Sequence, residues 1–117
     1  MTVEEYERLV PILKKNGYRK WVTHLYNEDY CYCKEFAYYE DSDGDSRCGY
    51  QIILCVYDNR KYDIVPDNSK FTVMPTVMIS GHHRIDLVLV ALPVDLITIE
   101  EKAQSFYQWA NSNFKDL

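Results

Sequence analysis

The sequence contains little glycine: there are four among 117 residues, and none builds a glycine-rich loop in front of a predicted helix. A phosphate-binding motif requires such a loop, because its backbone amides must approach the phosphate closely. A serine in a strand-to-helix elbow, the position of many hydrolase nucleophiles, is also missing. The sequence carries no catalytic signature, and this favours a protein that is not an enzyme.

Long apolar runs are absent as well. The longest one near the end of the chain extends from Leu87 to Pro93, whereas a helix that crosses a bilayer needs about 20 apolar residues. The first residues, Thr2 to Glu5, are polar and acidic and do not resemble the basic and then apolar start of a secretory signal. We therefore predict a cytoplasmic protein that does not associate with membranes.

A basic surface, which binding to a nucleic acid backbone requires, is not evident in the sequence. The formal net charge is −5, and the excess of acids lies between Asn27 and Arg47, where seven acidic residues accompany two basic ones. The charge pattern therefore disfavours nucleic acid as a partner.

The four cysteines, Cys31, Cys33, Cys48 and Cys55, do not form the two close pairs that a structural zinc site needs. Without a secretory signal, we expect reduced thiols buried as small apolar groups, with disulfide bridges as the alternative. A Cys–His pair with His24 is conceivable, but thiols in mid-strand are usually buried and inert. We predict no catalytic residue, no metal and no cofactor.

The stretch from Gln51 to Tyr57 is the most apolar in the first half of the chain. A strand places alternate residues on opposite faces, and here both sets are apolar. The two sets are Ile52, Leu54 and Val56 on one side, and Ile53, Cys55 and Tyr57 on the other. Such a strand belongs in the middle of a sheet that is covered on both faces.

Two segments have the signals of helices. The residues from Thr2 to Glu5 form a capping box, and Gly17 is a typical C-terminal stop. Pro11 lies inside this helix and should kink it. A second capping box, from Thr98 to Glu101, predicts the start of a C-terminal helix with apolar residues at helical spacing.

The remaining segments predict strands. Alternating patterns, separated by turn residues, occupy 18–26, 30–39, 49–57, 71–79 and 84–91. A short segment at 62–65 would supply a sixth strand, and Pro75 within 71–79 indicates an edge or a bulge. We therefore predict one α+β domain over residues 1–117, with a mostly antiparallel sheet of five to six strands and both helices packed on one face.

Two helices cover only one face of such a sheet, so the other apolar face needs a cover. A second copy of the chain, a different protein or the chain's own segment 58–70 could provide it. The leading hypothesis is a protein-binding module, either an adaptor or a homodimer. Its predicted contact residues are Tyr30, Tyr32, Phe36 and Tyr38, with Asp41, Asp43 and Asp45 in the neighbouring acidic loop.

Other interpretations remain beside this one. The tyrosines could be ordinary strand residues whose hydroxyl groups reach water. The acidic loop from Asp41 to Asp45 resembles the start of a calcium loop but lacks its later glycine and glutamate, so a solvated hairpin tip is favoured. His82 and His83 fit an exposed turn rather than a metal site. The second function hypothesis is a small-ligand-binding or enzymatic domain with a cavity between the helices and the sheet.

Overall fold

The computed structural model describes residues 1–22, 27–40, 47–79 and 95–113. The helices are α1 (Val3–Lys15) and α2 (Leu96–Asn113), and the strands are β1 (Arg19–Trp21), β2 (Tyr30–Glu40), β3 (Arg47–Asp58) and β4 (Phe71–Ile79). The four strands pair antiparallel in the order β1-β2-β3-β4. The α+β class and the antiparallel sheet are confirmed.

The expected number of five to six strands is too high for the described sheet, which has four. The predicted strand at 62–65 does not form, because a 3-10 turn at Asn59–Lys61 follows β3 directly and Ile64 is 94% exposed. The strand predicted at 84–91 and the histidines His82 and His83 lie outside the described residues. Residues 23–26, which were assigned to the first strand, also lie outside them.

The helix α1 begins as its sequence predicts. The backbone amide of Glu5 donates to the Thr2 hydroxyl at 3.1 Å, and the Glu5 carboxylate accepts from the Thr2 amide at 3.2 Å, which completes the capping box. The helix continues through Pro11. Gly17, with a φ of 88°, turns the chain out of the helix toward β1, a conformation that glycine adopts at no steric cost.

The helix α2 begins earlier than predicted. Its first residue is Leu96, and the Asp95 carboxylate accepts from the backbone amides of Ile97 at 3.1 Å and Thr98 at 3.3 Å. The hydroxyl of Thr98 donates to the same carboxylate at 2.7 Å and therefore does not cap the helix itself. Asp95 is an N-cap residue of the preferred type, and it displaces the predicted start by about one turn.

Both helices pack on the face of the sheet that carries Ile52, Leu54 and Val56. Their buried residues form one core with this face: Tyr6, Leu9 and Leu13 from α1, Ile99 and Ala103 from α2, and Tyr32, Val73 and Val77 from the neighbouring strands. The core on this side agrees with the predicted placement of both helices on one face. None of the described helices combines the length and the apolarity of a membrane span.

The second face of the sheet is also closed to solvent at its centre. Cys31, Ile53 and Cys55 are each at most 1% exposed in the single chain, and Met74 and Met78 pack against them. No residue from 58 to 70 is buried, so this segment does not provide the predicted cover. At these positions the face is not bare, and the main reason for expecting a partner there is lost.

Candidate ligand-binding cavity

Two of the predicted contact tyrosines, Tyr30 and Tyr32, lie on the helix side of the sheet. Tyr30 pairs with Val56, and Tyr32 pairs with Leu54, so the alternation of β2 directs both rings toward the helices. Tyr32 is only 4% exposed. These tyrosines are therefore part of the core and not of an open contact face, because the pairing register determines the face on which each residue lies.

Phe36, another predicted contact residue, is partly buried against the same helix-side core. Tyr38 lies in β2 opposite Gly49. Asp41, Asp43 and Asp45 lie outside the described residues. The predicted contact surface as a whole therefore stays a prediction.

Tyrosine hydroxyl groups instead connect α1 to the sheet. The hydroxyl groups of Tyr6 and Tyr30 share a hydrogen bond, and the Tyr6 ring stacks on Phe71 with a centroid distance of 4.0 Å. Burial and the hydrogen bond to Tyr30 raise the pKa of Tyr6 well above its ordinary value. These hydroxyl groups therefore stay protonated and have a structural role.

A cavity of about 680 Å³ lies beside β1, at the Arg19 end of this strand, where β2 continues beyond their pairing. Its lining includes Arg19, Trp21, Cys33, Lys34, Glu35 and Gln51. The strand β1 pairs only with Cys31 to Cys33, whereas β2 extends to Glu40. The chain turns at Gly17, just before β1 begins. Because β1 is short, it does not pair with β2 beyond Cys33, and the cavity lies in the space next to this part of β2.

The strand register places several of these side chains on one face of the sheet. Arg19 lies opposite Cys33, and Gln51 lies opposite Glu35. Cys33 and Glu35 are two residues apart in β2 and point to the same side, as do Arg19 and Trp21 in β1. Side chains from three adjacent strands therefore line the cavity on the face opposite the helices, while Lys20 and Lys34 of the lining lie on the helix side.

Gln51 is the most unusual residue of this lining. It is only 9% exposed, and its side-chain Nε2 donates to the Glu35 carboxylate over 3.4 Å. Its Oε1 is buried and accepts no hydrogen bond from a described residue. A carboxylate only accepts, so the contact with Glu35 assigns the nitrogen to that side of the amide and leaves the carbonyl oxygen as the unpaired atom.

The three basic residues of the lining differ in their surroundings. The Lys34 ammonium group forms an ion pair with Glu100 at 3.1 Å. The Lys20 Nζ lies 4.2 Å from the centroid of the Tyr30 ring, on the helix side of the sheet. Arg19 is exposed and makes no ion pair with a described residue. Arg19 is thus the cation of this lining that is available to a bound anion.

The cysteine thiols near the cavity are not activated. Burial raises the pKa of the Cys33 thiol, so this thiol is neutral at physiological pH. Cys31 is buried, and its Sγ donates to the backbone carbonyl of Trp21 at 3.2 Å. His24, the base of the conceivable Cys–His pair, lies outside the described residues.

A smaller groove of about 330 Å³ lies between α2 and the sheet, where the second sequence hypothesis expects a cavity. Its charged lining residues include Lys34 and Glu100, which already bind each other. The larger cavity beside β1 has more space, and its lining includes Arg19, which makes no ion pair with a described residue, so it is the stronger candidate. Within 1–22, 27–40, 47–79 and 95–113, no group of three metal-ligating side chains occurs.

Comparisons of the chain with protein-family models, with curated proteins and with solved structures give no significant match. The function must therefore be inferred from the geometry and chemistry of the chain itself.

Proposed function

We propose that this protein is a small-ligand-binding module and that the cavity beside β1 is its site. The observation that carries this proposal is that Arg19, an exposed cation that makes no ion pair with a described residue, and the indole of Trp21 line the same cavity. A guanidinium group can orient an anionic ligand, and an aromatic wall can pack against the apolar part of that ligand.

The size and composition of the cavity are consistent with this function. Its volume of about 680 Å³ lies within the range of about 300–1,000 Å³ that is usual for small-molecule sites. Such sites combine apolar or aromatic walls with a few polar groups that orient the ligand. Here Trp21 supplies an aromatic wall, and Arg19 supplies a cation.

Tryptophan fluorescence tests this function. The chain has two tryptophans, Trp21 in the cavity lining and Trp109 in α2, so a Trp109→Phe variant reports on the cavity alone. We would screen carboxylates, phosphates, amines and amino acids against it. We expect a saturable change for at least one compound and no change in a Trp21→Phe variant, which retains Trp109. A screen without any saturable change, or an equal response in both variants, would contradict the proposal.

A second candidate function is protein binding through the β1 edge, as an adaptor or a homodimer. It is supported by the exposure of Trp21, at 45%, and of Val22, at 65%, at the outer strand of the described sheet. An edge strand can pair with a strand of another chain.

Light scattering at several protein concentrations tests self-association. A homodimer formed through this edge should dissociate on dilution and be lost in a Val22→Lys variant, because a buried lysine would lose its hydration. Ile64→Lys is the matched control, since Ile64 is exposed on the segment between β3 and β4. A monomer at every concentration would exclude the homodimer.

We propose a cytoplasmic location, supported by the thiol state of Cys31, Cys33 and Cys55. Reducing compartments preserve thiols of this kind. Alkylation of the protein from its native source in denaturant, without a reducing agent, should label all four cysteines in mass spectrometry. Cysteines that are alkylated only after a reducing agent is added would indicate disulfide bonds and therefore an oxidising compartment.

A further inference from the structure

We infer that the cavity beside β1 binds a flat aromatic anion, with its acid group against Arg19 and its ring against the indole of Trp21. This inference rests on the proposed function and specifies the chemical class of the ligand. It follows from the charge of the lining, from the positions of Arg19 and Trp21 in β1, and from the surroundings of these two side chains.

The charge of the lining favours an anion. The whole chain has a formal net charge of −5, but the charged side chains that line this cavity are three bases and one acid: Arg19, Lys20, Lys34 and Glu35. Lys34 forms an ion pair with Glu100, whereas neither Arg19 nor Lys20 makes an ion pair with a described residue. A local excess of positive charge attracts anions and disfavours amines.

Arg19 is the base that can contact the acid group on the face of Trp21. Its guanidinium group makes no ion pair and lies over no aromatic ring within the described part of the chain. A planar guanidinium group binds a carboxylate or a phosphate through two parallel hydrogen bonds. Lys20 lies over the Tyr30 ring on the helix side, so it adds positive charge to the lining from the other face of β1.

Trp21 offers an indole that has no aromatic partner among the described residues. It is 45% exposed, whereas the other tryptophan, Trp109, stacks on Phe106 with a centroid distance of 6.2 Å. The Trp21 backbone is held in the sheet, because Trp21 pairs with Cys31 and its carbonyl accepts from the Cys31 Sγ at 3.2 Å. An aromatic pair gains more than its buried area alone provides, so a flat ring fits this indole better than an aliphatic group.

The spacing along β1 allows one small molecule to reach both side chains. Arg19 and Trp21 are two residues apart on one face of the strand, which places their backbones about 6.6 Å from each other. A single aromatic ring with an attached acid group has a similar length. Glu35 lies beyond Arg19 in the direction away from Trp21, and its carboxylate would repel a second acid group there. A ligand with one acid group is therefore favoured.

NMR titrations of the full chain with four probes of similar size test this inference: benzoate, phenyl phosphate, cyclohexanecarboxylate and benzyl alcohol. Benzyl alcohol retains the ring but lacks the charge, and we expect it to bind about tenfold more weakly than benzoate. Cyclohexanecarboxylate retains the charge but lacks the flat ring, and we expect it to bind about fivefold more weakly. The tighter of benzoate and phenyl phosphate identifies the acid group.

Two variants assign the contacts. Arg19→Ala should weaken benzoate binding about tenfold and leave the binding of benzyl alcohol unchanged. Trp21→Leu should remove the preference for benzoate over cyclohexanecarboxylate. The matched controls are Arg8→Ala and Trp109→Leu, since both residues are exposed and neither lines the cavity. Thermal unfolding shows whether each variant is folded.

Equal affinities for benzoate and benzyl alcohol would overturn the anionic part of the inference, and equal affinities for benzoate and cyclohexanecarboxylate would overturn the aromatic part. Unchanged benzoate binding in a folded Arg19→Ala variant would overturn the assignment of the acid group. If the fluorescence screen finds a ligand but no aromatic anion binds, this inference fails and the proposed function stands. A fluorescence screen without any saturable change would contradict both.

Discussion

At the scale of single residues, Gln51 contrasts with its surroundings. It begins the most apolar stretch of β3 and is nearly as buried as the aliphatic residues that follow it. An aliphatic residue of the same volume would avoid the unpaired carbonyl oxygen. A buried polar group of this kind is therefore expected to reduce the stability of the fold.

Replacement of Gln51 by methionine tests this interpretation. Methionine has a similar shape and no carbonyl group, so we expect the free energy of unfolding to rise by about 1 kcal/mol. Urea denaturation measures this effect. Gln108→Met is the control, since Gln108 is exposed on α2 and its replacement should change little. A clear loss of stability in Gln51→Met would show that the carbonyl is satisfied in solution.

The hydroxyl group of Tyr30 is a second residue with a specific prediction. Its removal in Tyr30→Phe takes away the hydrogen bond to Tyr6 in a partly buried site. We expect the free energy of unfolding to fall by about 1 kcal/mol. Tyr62→Phe serves as the control because Tyr62 is exposed, and it should lie within about 0.5 kcal/mol of wild type. Equal stabilities of the two variants in urea would contradict this role.

At the scale of elements, the start of α2 depends on Asp95. The variant Asp95→Ala removes the acceptor for the amides of Ile97 and Thr98, and we expect it to destabilise the protein by about 1 kcal/mol. Thermal unfolding followed by circular dichroism measures the effect. Glu101→Ala, an exposed change in the same helix, is the control and should cost far less. If Glu101→Ala proves as damaging, Asp95 is not the cap.

The connection from β3 to β4 is held by two acids with lowered pKa values. The pKa of Asp29 is lowered mainly by a hydrogen bond from the Asp58 amide and then by Lys61, while the pKa of Asp58 is lowered mainly by Arg60. Both carboxylates therefore stabilise the fold when ionised. This contribution is present above their ordinary pKa of 3.8 and is lost as the pH falls through the lowered values in the folded protein.

We therefore expect the free energy of unfolding in urea to decrease as the pH falls below about 4. Asp29→Asn should have a lower stability at neutral pH and a shallower decrease in acid. Asp67→Asn, at an exposed acid outside this network, should retain the wild-type profile. An unchanged slope in Asp29→Asn would assign the acid sensitivity to other carboxylates.

Local signals predicted some elements well and others poorly. The capping box at Thr2 and the two apolar faces around Ile53 depend only on residues that are neighbours in the sequence, and both are found in the structure. The start of α2 was missed because Thr98 to Glu101 carries the same pattern of residue types as a capping box, while Asp95 caps the helix one turn earlier. A search for acids before the first apolar residue of the helix would have found it.

The candidate site could not be predicted in the same way. The faces of Tyr30 and Tyr32 depend on the pairing of β2 with β3, including the register shift between Glu35 and Ala37. The cavity depends on how few residues of β1 pair with β2, and tertiary contacts rather than strand propensity determine this number. Only Gln51, a polar residue at the start of an apolar strand, gave a signal in the sequence.

At the scale of the whole molecule, one chain closes both faces of β3 at its centre. A bare apolar face therefore does not supply a driving force for assembly at these positions. We propose instead that function lies at the β1 side of the sheet, where a cation and an indole line one cavity. A ligand that fills this cavity should stabilise the protein by about 2.7 kcal/mol at a concentration one hundred times its Kd.

The most direct test of this central claim is an NMR titration of the isotopically labelled protein with the compound that gives the saturable change in the tryptophan fluorescence screen. Backbone amide shifts should change in a saturable manner at 17–21, 33–35 and 51, the segments that line the cavity. Amides on the outer surface of α2, at Ser105 and Gln108, should remain unchanged. Shift changes confined to α2, or spread evenly over the sheet without saturation, would contradict the proposed site.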